Sequence, residues 1–234
     1  MIKLKIVRHY SPKLLDANQA YSFINFASIG SFFKDTPGTV AYFCDGMLMS
    51  AFMSQVTGRS IGRVSFDFTS IADPVLGSAE QSGKRVYFVG AHQAELELFI
   101  SKIKARYPQL IIAGYHNGYF NVAQAKGIRR DICQSDANVL IVGLGAGLQE
   151  QFVQDAQRAG FHGVAFTCGG FIRQEAMATC QYYPEVINRL HLRAFYRMYR
   201  EPHTIKRYLV DYPGNFLQLL AMLVRHKVTI RVGE

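Results

Sequence analysis

The sequence predicts an α/β fold, a mostly parallel sheet flanked by helices and followed by a C-terminal helical appendage. Three observations lead there. Short β-rich runs are apolar without alternation, as strands covered on both faces are. Those runs end at Gly or Asp and pass into segments of helical spacing. Beyond Pro184 the pattern turns to helix alone.

Taken in order, Tyr21 to Phe26 reads as an early strand. Val40 to Cys44 is a strand running into Asp45-Gly46, after which Met47 to Gln55 reads as helix. Arg85 to Gly90 is the next strand, and Glu95 to Arg106 carries Leu96, Phe99, Ile100 and Ile103 at helical spacing. Leu110 to Ala113 opens into the run Gly114 to Phe120. Asn138 to Val142 opens into Gly143 to Glu150 and a further helix, and Gly163 to Cys168 ends at Gly169-Gly170. One helix is expected over Glu185 to Arg200. It stops near Pro202, because proline disfavours helix in the residue before it. A second covers Thr204 to Arg225, with Pro213-Gly214 a candidate interruption. Residues 1–184 then form an α/β catalytic domain and residues 185–234 a basic helical appendage.

A chain of 234 residues with 49% hydrophobic content can bury one sizeable core, and its composition argues against disorder. Met1 to Arg8 interleaves charged and apolar residues, unlike the apolar centre of a secretory signal. No stretch reaches the ~20 apolar residues of a membrane-spanning helix. The expected location is the cytoplasm, unless a membrane surface holds the protein. Cys44, Cys133, Cys168 and Cys180 are scattered and read as buried, reduced thiols. The net charge of +9 is uneven: from Glu185 onward nine Lys/Arg stand against four Asp/Glu. Such a basic segment suits phosphate, nucleic acid or acidic lipid. A nucleic-acid reading motif is missing, so nucleic acid is not an expected partner.

In parallel sheets ligands sit at the carboxyl ends of the strands. Asp45, His116, Gln149 and Glu150 fall just past expected strand ends, around one cleft. Asp45 can act there as a general base, or serve as a turn residue or helix N-cap. Gly143 to Gly147 forms either a phosphate-cradling loop or a plain tight turn. As a dinucleotide fingerprint it is poor, because Leu148 stands where the third glycine belongs. Arg189, Arg193, Arg197 and Arg200 fall within an arc of about 80° on one helix face. That row would grip a diphosphate. It equally fits a solvated face paired locally with Glu185 and Glu201. There is no D-x-D, Asp67 has no acidic neighbour in sequence, and His92, His116 and His162 lack ligand spacing, so neither metal nor cofactor is expected.

Together these segments resemble the WecG/TagA/CpsF glycosyltransferases over roughly Tyr21 to Tyr208. Asp45-Gly46-Met47 is similar to that family's D-G-M/I, and Arg63 to Asp67 to its R-V-x-G-x-D, with Phe66 in place of the glycine. Tyr107 to Leu110 with Gly114 to Phe120 is similar to Y-P-x-L…G-x-H-x-G-Y-F, and Val142 to Glu150 to V-G-L-G-x-P-K-Q-E. Tyr196-Arg197, Glu201-Pro202 and Arg207-Tyr208 fit Y-R…E-P-x-R-x-x-R-Y.

The resemblance implies a Rossmann-like, inverting transferase that uses a UDP-sugar without a required metal or cofactor. Its acceptor would be a sugar on undecaprenyl diphosphate, as in bacterial cell-surface polysaccharide synthesis. Asp45 would be the base. Asn25 would help shape the sugar pocket, and Arg63, Gln149 and Glu150 would line the donor site. Ser28, Asp67, Gly90, His116, Gly143, Gly145 and Arg200 complete the expected substrate-binding set. Arg197 and Arg207 would stabilise the departing diphosphate from an appendage resting on the inner membrane surface. A homo-oligomer stays open. Phe23, Gly147, Leu148, Arg173 and Thr204 depart from the family pattern. Phe23, Leu148 and Thr204 motivate an alternative, a catalytically weak member serving as a scaffold in a polysaccharide assembly complex.

Overall fold

The computed structural model describes residues 2–34, 39–178, 185–190 and 192–233. Eight strands are present: β1 (Ile2–Val7), β2 (Ala20–Ile24), β3 (Val40–Cys44), β4 (Arg85–Gly90), β5 (Ile111–His116), β6 (Val139–Gly143), β7 (Val164–Thr167) and β8 (Val228–Gly233). They form one sheet in the order β5-β4-β6-β7-β2-β3-β1-β8, and every pairing is parallel. All carboxyl ends therefore emerge on one side. The described helices are α1 (Ile29–Lys34), α2 (Met47–Thr57), α3 (Ala72–Gln81), α4 (Gln93–Arg106), α5 (Val122–Gln134), α6 (Leu148–Arg158), α7 (Phe171–Met177), α8 (Glu185–Arg189), α9 (Arg193–Arg200) and α10 (Tyr212–Val224).

The unbroken apolar runs follow from a sheet covered on both faces. In β6, Val139 and Ile141 join a core with Leu76 of α3 and Phe99 of α4. Leu140 and Val142 join a second core with Met53 of α2, Ile132 of α5, Phe152 of α6 and Leu219 of α10. Each such side chain contributes about 1.5–3 kcal/mol on burial.

Three expectations about the segment after Pro184 are corrected. The segment after Pro184 is not helical to its end, because residues 228–233 form β8, paired with β1 from Ile2↔Val228 to Val7↔Gly233. Single-face burial explains the alternation of Val-Thr-Ile-Arg-Val there, and the interleaved charges of β1 have the same cause. The helix expected over Glu185 to Arg200 is two pieces, α8 and α9, and Leu192 N–H closes the end of α8 five residues back on the Ile187 carbonyl at 3.0 Å. The second tail helix is also divided. A 3₁₀ turn (Pro202–Thr204) and a wide π-type turn (Arg207–Asp211) precede α10. The break falls ahead of Pro213, which sits in the first turn of α10, where its missing N–H costs nothing.

The strand read as Leu110 to Ala113 is displaced, as β5 runs on to His116. Gly114 permits this, because a Cβ there would meet the Tyr87 ring at 2.5 Å, where the β4–β5 register shifts.

Candidate active site

The carboxyl ends of β2, β3, β6 and β7 open into a cavity of about 1310 Å³, whose far wall is the tail, through Phe195, Met198, Tyr208, Leu209 and Tyr212. Asp45 stands on the floor. Its N–H donates to the Ile24 carbonyl at 2.8 Å, carrying the β2–β3 ladder one residue beyond the strand. Gly46 then takes a φ of +92°, which favours glycine, and is itself the N-cap of α2. Asp45 is therefore not the helix cap, and its carboxylate, about a third exposed, lines the cavity.

Two neighbours orient it. Asn25 Nδ2 donates to Asp45 Oδ2 at 3.4 Å, while Asn25 Oδ1 accepts from the N–H groups of Ala27 and Ser28 at 2.9 and 3.0 Å. Ser28 Oγ accepts from Asn25 N at 3.0 Å, which locks the turn. Arg63 arrives through a parallel bridge between its own backbone and Cys44, with Val64 N–H on the Cys44 carbonyl at 2.9 Å. Its Nη2 lies 3.9 Å from Asp45 Oδ1 and 3.9 Å from Asp67 Oδ2, and donates to Ser65 Oγ at 2.9 Å. Ser65 in turn donates to Asp67 at 2.7 Å. Asp67 also accepts from Thr69 through its N–H at 2.9 Å and through its hydroxyl. The guanidinium thus bridges two carboxylates. Ion pairs this accessible to water contribute about 0–1 kcal/mol, so the arrangement serves position more than stability.

The glycine run after β6 is held from behind. Glu150 is buried and accepts from Gly147 N–H at 2.7 Å, Gln149 Nε2 at 3.0 Å and the Ser22 hydroxyl. Thr167 donates to Ser22 at 2.8 Å, and Gln149 Oε1 accepts from Gly169 N–H at 3.1 Å. Gly143, Gly145 and Gln149 line the cavity. Glu150 does not stand on its wall. The carboxylate caps α6 and ties it to β2 and β7, so Glu150 fixes the loop from behind. Gly90 is likewise a packing residue, because a Cβ there would meet the Gly143 carbonyl at 2.7 Å.

His116 ends β5 at the sheet edge, with Nδ1 2.8 Å from the Asn117 carbonyl, and is not on the cavity wall. Arg200 is exposed, its guanidinium 6.0 Å from the Tyr196 ring, and is also outside the wall. The side chains of Arg197 and Arg207, like those of Arg193 and Cys180, lie outside the described ones. Asn25, Ser28, Asp45, Arg63, Asp67, Gly143, Gly145 and Gln149 are brought together.

Other contacts were not anticipated residue by residue. Tyr119 lines the cavity and stacks on His92, with ring centroids 3.8 Å apart and planes at 5°. Arg173 pairs with Glu95 at 3.3 Å on the same wall. Phe23 and Phe66, two departures from the family pattern, meet edge to face with centroids 6.1 Å apart. Thr204 is buried, and its hydroxyl closes the tail turn on the Glu201 carbonyl at 2.7 Å.

At the root of the tail, Lys102 Nζ donates to the carbonyls of Glu175, Ala176 and Ala178 at 2.7, 2.8 and 2.7 Å, capping α7. Burial, with the Asp67 charge adding to it, pushes the Glu175 carboxyl up to about 7 against the pull of Lys102 and Arg106. Burial also pushes the Cys44 thiol up to about 12 and holds Cys168 above its ordinary range, so neither is a ready nucleophile. Among the described residues no group of three His, Cys, Asp or Glu side chains is set to hold a metal, and no helix is long and apolar enough to cross a membrane.

An open cleft at the carboxyl ends of a doubly covered parallel sheet, with an oriented carboxylate in it, is the architecture of an α/β ligand-binding enzyme. The chain belongs to the glycosyl transferase WecG/TagA/CpsF family, whose model matches residues 37–229. It is 31% identical over 179 residues to a UDP-Gal:alpha-D-GlcNAc-diphosphoundecaprenol beta-1,4-galactosyltransferase of Shigella boydii, covering 76% of this chain and 75% of that protein. It is 30% identical to N-acetylglucosaminyldiphosphoundecaprenol N-acetyl-beta-D-mannosaminyltransferases of Bacillus subtilis and Bacillus spizizenii. Those matches cover 58% and 61% of this chain and 52% of each relative.

Proposed function

We propose that this glycosyltransferase moves a sugar from a UDP-sugar to a sugar carried on undecaprenyl diphosphate, with inversion and without a required metal. The observation that carries the reading is Asp45, oriented by Asn25 and Arg63 in a cavity that the tail roofs over. An Asp45 carboxylate oxygen accepts the proton of the acceptor hydroxyl as that oxygen bonds to the anomeric carbon. The C–O bond to UDP breaks on the opposite face, which inverts the centre. Arg63, Asp67, Gln149 and the Gly143–Gly147 loop hold the donor. Arg197 and Arg207 of the tail stabilise the charge growing on the leaving diphosphate.

The lipid-linked acceptor sets the location: the inner membrane surface on its cytoplasmic side, with the basic segment 185–225 against anionic headgroups. In this reading residues 1–184 carry the chemistry and the segment that follows closes over it. Two family departures, Phe23 and Phe66, pack edge to face and Thr204 seats a turn, so the fold accommodates all three.

The test is transfer from a panel of UDP-sugars to an N-acetylglucosaminyl diphosphate lipid, comparing wild type with Asp45→Asn. The variant should lose about 10²–10⁴-fold in kcat while calorimetry finds UDP binding little changed. Full turnover by Asp45→Asn would remove that residue from the base role. No UDP binding at millimolar nucleotide would remove the enzymatic reading altogether.

A further inference from the structure

The cavity is chemically mixed. Around Asp45 its wall is polar, through Asn25, Arg63, Asp67 and Gln149. The wall also presents large apolar side chains in contact with water: Leu48 is 66% exposed, Phe195 66% and Leu209 68%, with Met47 and Met198 on the same wall, while Leu148 and Tyr119 do the same next to the segments assigned to the donor. The first five come from three separate segments, the first turn of α2, α9 and the wide turn before α10. Exposed apolar side chains scattered singly need no explanation, but a set gathered on one wall of a large cleft marks a binding surface.

A nucleotide-sugar offers that wall only the flat face of its uracil. Its sugars and phosphates are polar throughout, and an exposed apolar wall gives them no hydrogen-bond partner. Under the function proposed above, on which this inference rests, the other substrate is linear: a sugar hydroxyl, then a diphosphate, then an isoprenoid chain. Leu48 lies three residues beyond Asp45, within one turn of α2, so the apolar wall begins beside the reaction centre. A hydroxyl seated at Asp45 sends the remainder of its molecule outward, and the wall under the tail matches the isoprenoid.

We infer that Met47 and Leu48 of α2, with Phe195, Met198 and Leu209 of the tail, form a subsite for the first isoprene units of the acceptor. The subsite reads the lipid inside the protein, independently of any contact with a bilayer. It makes the tail a part of acceptor recognition as well as a cover.

The experiment needs no membrane. Wild-type protein is assayed in detergent-free buffer with N-acetylglucosaminyl diphosphate esterified to ethyl, geranyl or farnesyl groups below their micelle concentrations. The donor is whichever UDP-sugar supports transfer in the panel. The geranyl ester should exceed the ethyl ester in kcat/KM by at least about tenfold, an effect of apolar contact. Leu48→Asp and Leu209→Asp should collapse that ratio toward one, whereas Leu98→Asp, an exposed apolar position on α4 away from the cavity, should keep it. Equal use of ethyl and geranyl esters by wild type would overturn the subsite, as would a wild-type ratio in both cavity variants. Transfer to none of the esters, by contrast, would sink the transferase reading beneath it.

Discussion

Asp45 and Phe195 line one cavity, yet the chain holds them in different ways. Asp45 rises from two buried parallel strands, its amide locked to Ile24 and its carboxylate within reach of Asn25 and Arg63. Phe195 stands on a helix of eight residues, two-thirds exposed. Among the described residues the roof is tied by Asn215 Nδ2 on the Phe26 carbonyl at 2.7 Å, Gln174 to Glu201 at 3.4 Å, and an aromatic cluster of Phe26, Phe52 and Phe216. A rigid floor suits groups that must meet a transition state within fractions of an ångström. An exposed roof suits a long acceptor that must enter and leave. Changes to the floor should therefore appear in kcat and stability, and changes to the roof, its leaving-group arginines apart, in KM.

The sharpest blow to the floor is Glu150→Ala, which strips three donors of one buried acceptor. Urea unfolding should show a loss of about 2–4 kcal/mol, and transfer should fall with it as the glycine loop loosens. A variant of unchanged stability would mean that the loop is held elsewhere.

The junction between floor and roof answers to pH. The Glu175 carboxyl titrates near 7 in the folded protein against an ordinary 4.5, so folding binds its proton more tightly. Its contribution is fully present below pH 4.5 and is lost as pH rises through 7. Glu175→Gln should flatten that slope and stabilise the protein at pH 8 by about 1 kcal/mol. This is less than the shift alone implies, because the group keeps some access to water. A parallel pair of pH–stability curves would remove Glu175 from the account.

Within the floor, Phe23→Thr and Phe66→Gly should not act independently. A double-mutant cycle should give a coupling of about 0.5–1.5 kcal/mol, whereas additive losses would mean that the two rings merely sit near one another. The smallest effect belongs to the roof. Asn215→Ala should cost about 1 kcal/mol of stability or less and raise the acceptor KM a few-fold at nearly constant kcat. A kcat loss as large as that of Asp45→Asn would erase the distinction between the two regions.

The same contrast governs what can be read from the chain. The bounds of β3 and β4 agree with the sequence reading, since strands buried on both faces leave unbroken apolar runs between glycine and aspartate stops. Asn25, Asp45 and Arg63 converge because parallel topology sends every strand's carboxyl end to one side. β1 and β8 have the alternation of half-buried strands, but the first was weighed only against a secretory signal and the second lay in a stretch read as helix. Glu150 and Gly90 were placed at the site by proximity, when their work is to hold its frame. The division of the tail into short pieces has no local signature beyond Pro202 and Pro213, and the Phe23–Phe66 contact has none, since the two lie on different segments.

The pairing of β8 with β1 has a practical consequence. The ladder joins residues 2–7 to residues 228–233, so it can zip only after residue 233 has been made. Until then β1 offers a bare edge to any neighbouring chain. Cleavage or truncation near His226 would leave that edge open permanently, and such a fragment should come out of expression as aggregate even though every residue around Asp45 is intact.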